Sequence, residues 1–513
     1  MKNIALVLVF TLGPVLHAWS QNDNSPRFPD TPAAKRVEAF LKAFNSGDPK
    51  AMRDFHANNA ASGVLSSMSL DDISQQDQQM YNDFGGLELR RVVESGQSSI
   101  TVLLQAKKGQ WLNFRCEVEP APPHKIVGLG IEPASAPADA KPANEPKPPA
   151  ASANRAKRSD AEIVAALEKF LDEQVKADEF SGTVLLAKDG KTIFEKAYGL
   201  ASKSFNVPNN IDTKFNLGSM NKMFTAVAIA QLAEQGKLSF NDTVGKHLPN
   251  YPNKAVADKV TIHHLLTHTS GMGSYFNQKY IEAAKDRFKK VEDYAPLYVD
   301  EPLAFEPGQK WAYSNSGFML LGAIIEKVSG QNYFDYVREH IYKPAGMTNT
   351  DCYEMDTDTP NLAIGYTRGG PDGRRSADGS RKNNLFLHVV KGGPAGGGFS
   401  TVRDLLRFDI ALRNHKLLSA KYTETVLTGK VDVPRRDGAQ APAGVQVKYA
   451  YGFMDRVMNG ARTVGHGGGF PGINGQLDMY LDLGYTVAVL SNYDPPAAGK
   501  VADKARQLIT QQE

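Results

Sequence analysis

The sequence predicts an α+β protein in two folded parts: a small α+β domain, then a larger unit in which an antiparallel sheet is flanked by helices and carries a mainly helical lobe. Three observations point there. Residues 133–158, with Pro137, Pro142, Pro146, Pro148 and Pro149 among many alanines, hold too few apolar side chains to bury and read as an extended linker. Strand-like runs follow this linker and return only near the end of the chain, with helical periodicity between them, so early and late strands must share one sheet. The 513 residues also exceed what a single core usually serves.

The elements follow in chain order. Residues 1–20 read as an export signal: Lys2 supplies the positive start, residues 4–15 the apolar stretch, and Ala18-Trp19-Ser20 a small-x-small cleavage site. The apolar run is too short to span a bilayer and is broken by Gly13-Pro14, so the mature chain is expected without a transmembrane segment, periplasmic or secreted from a bacterium. In residues 21–132, Thr31-Pro32 caps and opens a helix that puts Val37, Phe40, Leu41 and Phe44 on one face. Asp48-Pro49 opens a second, with Met52 and Phe55, and strands are predicted from Leu87 onward, notably 99–105, 111–119 and 125–131. After the linker, residues 159–513 begin with a helix at Ser159-Asp160 that turns Ile163, Leu167, Phe170 and Leu171 inward. Strands 182–188 and 191–198 flank the turn Asp189-Gly190. Helical patterns fill residues 219–412, and strands at 463–466, 475–481 and 485–491 precede a last helix from about Ala498.

Composition narrows the function. Fifty-nine Lys and Arg against 56 Asp and Glu leave a net charge of +3, too small for a broad phosphate-binding surface, and nucleic acid is excluded as a partner. Cys116 and Cys352 fall in different predicted domains, which offers neither a disulfide framework nor a cysteine-rich metal site.

The chemistry concentrates in three segments. Ser219-Met220-Asn221-Lys222 opens an apolar run that ends at Gly236 and has the composition of a buried helix. Three-residue spacing puts Ser219 and Lys222 on one helical face, where a hydroxyl can pass its proton to an amine. Burial disfavours the charged ammonium, which makes neutral amine available as a base, and Ser219 would face the positive end of the helix dipole. Tyr313-Ser314-Asn315 precedes the helical run 317–328 and can project a phenol and a carboxamide together, the first to relay protons and the second to bind a substrate amide. The third segment is Val464-Gly465-His466-Gly467-Gly468-Gly469 at the end of a strand, where glycines let backbone approach a ligand.

These motifs in this order resemble the penicillin-recognising serine hydrolases: class C β-lactamases, D-alanyl-D-alanine carboxypeptidases and family VIII esterase relatives. The resemblance covers roughly residues 160–513 and extends to Phe180-Ser181-Gly182, Leu265-Leu266-Thr267-His268-Thr269-Ser270-Gly271 and Gly396-Gly397-Gly398-Phe399-Ser400-Thr401. It implies that Ser219 attacks, that Lys222 and Tyr313 exchange its proton, that Asn315, His466, Gly467 and Gly468 meet the substrate, and that the N–H groups of Ser219 and Gly469 form the oxyanion hole. No metal and no cofactor are implied. One departure is informative. Where β-lactam specialists usually carry Lys, a hydroxyl residue and Gly, this chain reads His466-Gly467-Gly468, so efficient β-lactam hydrolysis is not expected. His466 is expected to hydrogen-bond Tyr313 or a substrate carbonyl, and a lysine placed there should recover part of the missing carboxylate clamp. Separately, the two helices and strand-rich half of residues 21–132 resemble, in element order, the cone-shaped nuclear-transport-factor-like fold, with a spacer or docking role expected.

Two other signals are set aside. His264 and His268 are spaced for zinc on a helix but lack the glutamate of a metalloprotease motif, so packing or surface roles are expected of them. Gly467, Gly469 and Gly472 match G-x-G-x-x-G, but strands follow rather than a helix. The expected function is cleavage of an ester or amide in a small-molecule ester, peptide or cell-wall fragment through an acyl-Ser219 intermediate. The rival is a non-enzymatic receptor for peptidoglycan fragments or β-lactams built on the same fold.

Overall fold

The computed structural model describes residues 28–67, 70–134, 158–369, 379–434, 444–458 and 460–510. The residues read as an export signal, most of those read as a linker and the last three residues lie outside them. Contacts divide the chain into two units, residues 1–152 and 153–513.

In the first unit, the Thr31 hydroxyl accepts from Ala34 N–H and Asp48 accepts from Lys50 N–H, and so the helices Pro32–Asn45 and Pro49–Asn59 start at their Pro residues. Two further helices, Ser62–Ser67 and Leu70–Phe84, were not expected from the sequence. The second, LDDISQQDQQMYNDF, is mostly polar, and its few apolar residues give a weak signal. The strands Leu87–Ser95, Ser99–Ala106, Trp111–Val118 and Ile126–Ala134 form an antiparallel meander. Phe40, Phe44, Phe55 and Phe114 fill the space between sheet and helices, with the rings of Phe40 and Phe114 stacked 4.7 Å apart.

The second unit opens with the helix Asp160–Lys176, held by a reciprocal capping box between Ser159 and Glu162. The hairpin Gly182–Lys188 and Lys191–Tyr198 turns through Asp189 and Gly190, both at positive φ. Its first strand pairs with Tyr485–Ser491, which joins the two ends of the chain in one sheet. That sheet has eight antiparallel strands in the order Val431–Asp432, Val445–Tyr449, Met454–Met458, Ala461–Phe470, Ile473–Met479, Tyr485–Ser491, Gly182–Lys188, Lys191–Tyr198. The first three, in a stretch where the sequence reading assigned no element, widen the sheet past the expected strands.

The sheet is buried on both faces. Leu185, Leu477, Ala488 and Leu490 point to the helical lobe, whereas Val184, Leu186, Val487 and Val489 point to the helices Asp160–Lys176 and Ala497–Thr510. The helix Asn221–Glu234 runs through the lobe core with nearly every residue buried, as its mostly apolar composition requires. No helix among the described residues is long and apolar enough to cross a membrane.

Candidate active site

Ser219 sits not in the first turn of the buried helix but in a 3-10 turn, Gly218–Met220, that feeds into Asn221–Glu234. Glycines let three backbone segments close on this turn. A Cβ at Gly468 would lie 1.9 Å from the Leu217 carbonyl oxygen, one at Gly396 would lie 2.8 Å from that of Gly218, and one at Gly218 would lie 2.9 Å from Gly469 N. The third-motif strand and the loop around residues 392–398 can therefore touch the serine turn from two sides.

Lys222 has no exposed surface. Its Nζ donates to the carbonyl oxygen of Ala395 at 2.5 Å and to Asn315 Oδ1 at 2.8 Å, and lies 3.4 Å from Ser219 Oγ. Burial holds its amine well below the ordinary lysine range, and no carboxylate among the described residues offsets the effect. A neutral amine has two hydrogens and one lone pair. The two carbonyl-type oxygens take the hydrogens, which leaves the lone pair for the serine hydroxyl.

The loop before the helix Asn315–Ser329 supplies Tyr313, and the first residue of that helix is Asn315. The Tyr313 phenol faces the Ser219 hydroxyl across the cleft lining, and Lys222 Nζ lies 4.8 Å from the centroid of its ring. Crowding protein atoms raise the phenol above its usual range and the Ser219 hydroxyl pulls it back. Because 36% of the residue is open to the cleft, water tempers that rise. Asn315 bridges two walls: its oxygen accepts from Lys222 and its Nδ2 donates to Ser274 Oγ at 3.1 Å. The capping hydroxyl of Ser314 accepts from Gly317 N–H and donates to the Gly273 carbonyl, which ties the loop 273–274 to the same helix end.

The cleft, about 270 Å³, is lined by Ser219, Tyr313, Asn315 and Gly469 together with an aromatic group, Tyr275, Phe276, Tyr280 and Phe470. Phe276 and Phe470 pack with ring centroids 5.6 Å apart. His466, Gly467 and Gly468 do not line it. His466 is 5% exposed; its Nε2 pairs with the Tyr449 hydroxyl at 2.9 Å and its Nδ1 with the Gly467 carbonyl at 2.6 Å. The expected bond from His466 to Tyr313 is replaced by the one to Tyr449, on the Val445–Tyr449 strand that the sequence reading had left unassigned. Desolvation pushes the imidazole down to about 3, so it is neutral. A lysine at this position would be sealed behind the wall rather than presented to a substrate carboxylate.

Several contributors were not read from the sequence. Ala395 acts through its carbonyl, which leaves no side-chain signal. Ser274 and Tyr449 depend on loop and strand placement. The pair His264 and His268 is divided: the His264 Nδ1 accepts from Thr261 N–H at the start of its helix, whereas His268 is buried against Tyr313. Among the described residues no group of three or more His, Cys, Asp or Glu could hold a metal ion.

Comparison with known proteins adds the lineage. A family model described as Beta-lactamase matches residues 167–512. The chain belongs to the beta-lactamase family. It is similar to Penicillin-binding protein 4* of Bacillus subtilis (strain 168), 30% identical over 321 residues that make up 61% of this chain and 68% of that protein. Among solved structures, the penicillin binding protein from Bacillus halodurans superposes with a TM-score of 0.58 at 32% identity, covering 66% of this chain and 98% of that one. The D-stereospecific amidohydrolase from Streptomyces sp. gives a TM-score of 0.54 at 27% identity over 67% and 97% of the two chains. The large antiparallel sheet flanked by helices is thus the beta-lactamase and transpeptidase fold, and the family is one of serine hydrolases.

Proposed function

We propose that this chain cleaves a neutral ester or amide through an acyl-Ser219 intermediate, as an esterase or D-amino-acid peptidase-like enzyme rather than an efficient β-lactamase. The observation that carries the proposal is the proton count at Lys222: with both hydrogens of its neutral amine given to Ala395 and Asn315, only the lone pair is left to face Ser219. Ser219 Oγ passes its proton to that lone pair as it attacks the substrate carbonyl. The N–H groups of Ser219 and Gly469 receive the oxyanion, and the Tyr313 hydroxyl delivers a proton to the leaving group. Water then reverses the sequence on the acyl-enzyme.

The cleft favours uncharged substrates. No Lys, Arg, Asp or Glu is among the described residues that line it, and the aromatic side chains at 275, 276, 280 and 470 suit an apolar acyl or alcohol group. With His466 neutral and facing Tyr449, no cation of the third motif meets a β-lactam carboxylate.

The test is a panel on full-length protein and Ser219→Ala: a fluorophosphonate probe, nitrophenyl esters, D-Ala-D-Ala peptides and nitrocefin. Expected are labelling and ester turnover that both vanish with Ser219, with nitrocefin the poorest substrate. Labelling without turnover of anything in the panel would replace the enzyme with a receptor that is trapped by acylating ligands.

A further inference from the structure

The segment Leu265–Gly271 has no part in the chemistry above, yet it places one residue against both flanks of Tyr313. The helix Ile262–Leu266 ends there, and His268 turns the chain with φ of +61°, in the left-handed region that non-glycine residues rarely adopt. In that conformation its carbonyl accepts Ala312 N–H at 2.9 Å and its Nδ1 accepts Ser314 N–H at 3.1 Å. The residues before and after Tyr313 are thus bound to the backbone and the side chain of the same histidine. The imidazole also packs on the Tyr313 ring, with centroids 4.3 Å apart, and is enclosed by Phe318 and Tyr449.

These contacts set the tautomer. A nitrogen that accepts from an N–H carries no hydrogen, so Nε2 bears the proton, and this buried N–H has no hydrogen-bond partner among the described residues. A leucine or phenylalanine would fill the space without burying a polar atom. A left-handed backbone and an unpaired buried donor are both unfavourable, and their coincidence beside a catalytic phenol marks a local structure held for function.

We propose that His268 is a positioning residue: it acts through the 312–314 loop to hold the Tyr313 hydroxyl on Ser219 and does not itself touch substrate. The inference rests on the reading of Tyr313 as the proton relay.

A double-mutant cycle in the full-length protein tests it, with kcat and KM on nitrophenyl butyrate, the rate of fluorophosphonate labelling at Ser219, and melting curves. His268→Asn tolerates positive φ and offers Oδ1 close to the place of Nδ1. It should keep kcat within about fivefold of wild type, whereas His268→Ala should lower kcat at least about twentyfold with KM within about twofold, as misplacement of a catalytic group does. In a Tyr313→Phe background His268→Ala should cost less than a further factor of about two, because the group it positions is gone. If the Ala variant does not fold, His268→Gln replaces it, retaining bulk while moving the acceptor one methylene away from Ser314 N–H. Equal losses in both backgrounds, a change confined to KM, or an Asn variant as impaired as Ala would overturn the proposal. Failure of the underlying reading has its own signature, since Tyr313→Phe would then keep wild-type kcat.

Discussion

Lys222 and His466 are both nitrogen bases at the centre of the second unit, both shielded from water, and both held neutral by the loss of hydration. They differ in where the lone pair goes. On Lys222 two carbonyl-type acceptors use up the N–H bonds and leave the lone pair facing Ser219. On His466 the proton of Nδ1 goes to the Gly467 carbonyl, and the lone pair of Nε2 is taken by the Tyr449 hydroxyl. Burial supplies a neutral base at either position, but only a base with an unclaimed lone pair aimed at the nucleophile can work as one. Residue type alone would have ranked them the other way, because histidine is the commoner general base.

The contrast breaks most readily through substitution of the two bases in parallel. Lys222→Ala should lower kcat on nitrophenyl butyrate by at least about a hundredfold, while His466→Gln should cost less than about tenfold. Comparable losses in the two variants would place both groups in proton transfer. The same logic gives a sign with pH: activity should fall as acidity rises through the depressed titration of Lys222, because protonation consumes the lone pair. A smaller effect is expected on the strand that carries His466. Gly468→Ala puts a Cβ 1.9 Å from the Leu217 carbonyl oxygen, so the serine turn or the strand must move. Overpacking of this kind costs about 1–3 kcal/mol, and urea unfolding should show it together with slower fluorophosphonate labelling. Wild-type stability and labelling in that variant would mean that the turn and strand are not in close contact.

Much of this architecture could be read from local chemistry. Thr31-Pro32, Ser159-Asp160 and Asp189-Gly190 state their caps and turn in side chains that act within four residues, and the structure places helix starts and hairpin at those positions. The serine-lysine pair was legible for the same reason, although the serine turn is 3-10 rather than α-helical. Long-range placement was not. Nothing local in Tyr449 tells that it will take the imidazole of His466, and Ala395 contributes an oxygen that every residue has. The helix Leu70–Phe84 escaped notice because its apolar residues are too sparse to dominate its polar ones. His268 was considered as half of a metal-spaced pair, but the helix ends at Leu266, which directs the two histidines to different tasks.

Replacement at 466 sharpens the comparison further. Sequence alone suggested that His466→Lys would favour carboxylate-bearing β-lactams. Since the side chain faces Tyr449 and not the cleft, the ratio of kcat/KM for nitrocefin to that for nitrophenyl butyrate should stay within about twofold of wild type, with stability lowered by a second buried amine near Lys222. A ratio that rises about tenfold would show that position 466 reaches the substrate after all.

The smallest expected effect is thermodynamic. His466 has its folded titration pushed down to about 3, whereas an unfolded histidine titrates at its ordinary 6.5. Between those values the unfolded chain binds a proton that the folded chain refuses, so the contribution of this imidazole to stability is complete above pH 6.5 and is lost as pH falls toward 3. One such group gives a slope of up to about 1.4 kcal/mol per pH unit inside the window. Other histidines held below their ordinary range by burial, His268 among them, add to the slope below pH 6.5, so the wild-type curve does not report His466 alone. The difference between wild type and His466→Gln isolates it, because glutamine can still accept from the Tyr449 hydroxyl but takes up no proton. Urea unfolding at pH 6.5, 5.5 and 4.5 should show the stability gap between the two proteins shifting steadily in favour of the glutamine variant as pH drops. Parallel curves would mean that His466 is protonated as readily in the folded chain as in the unfolded one, and that its place against Tyr449 is open to water.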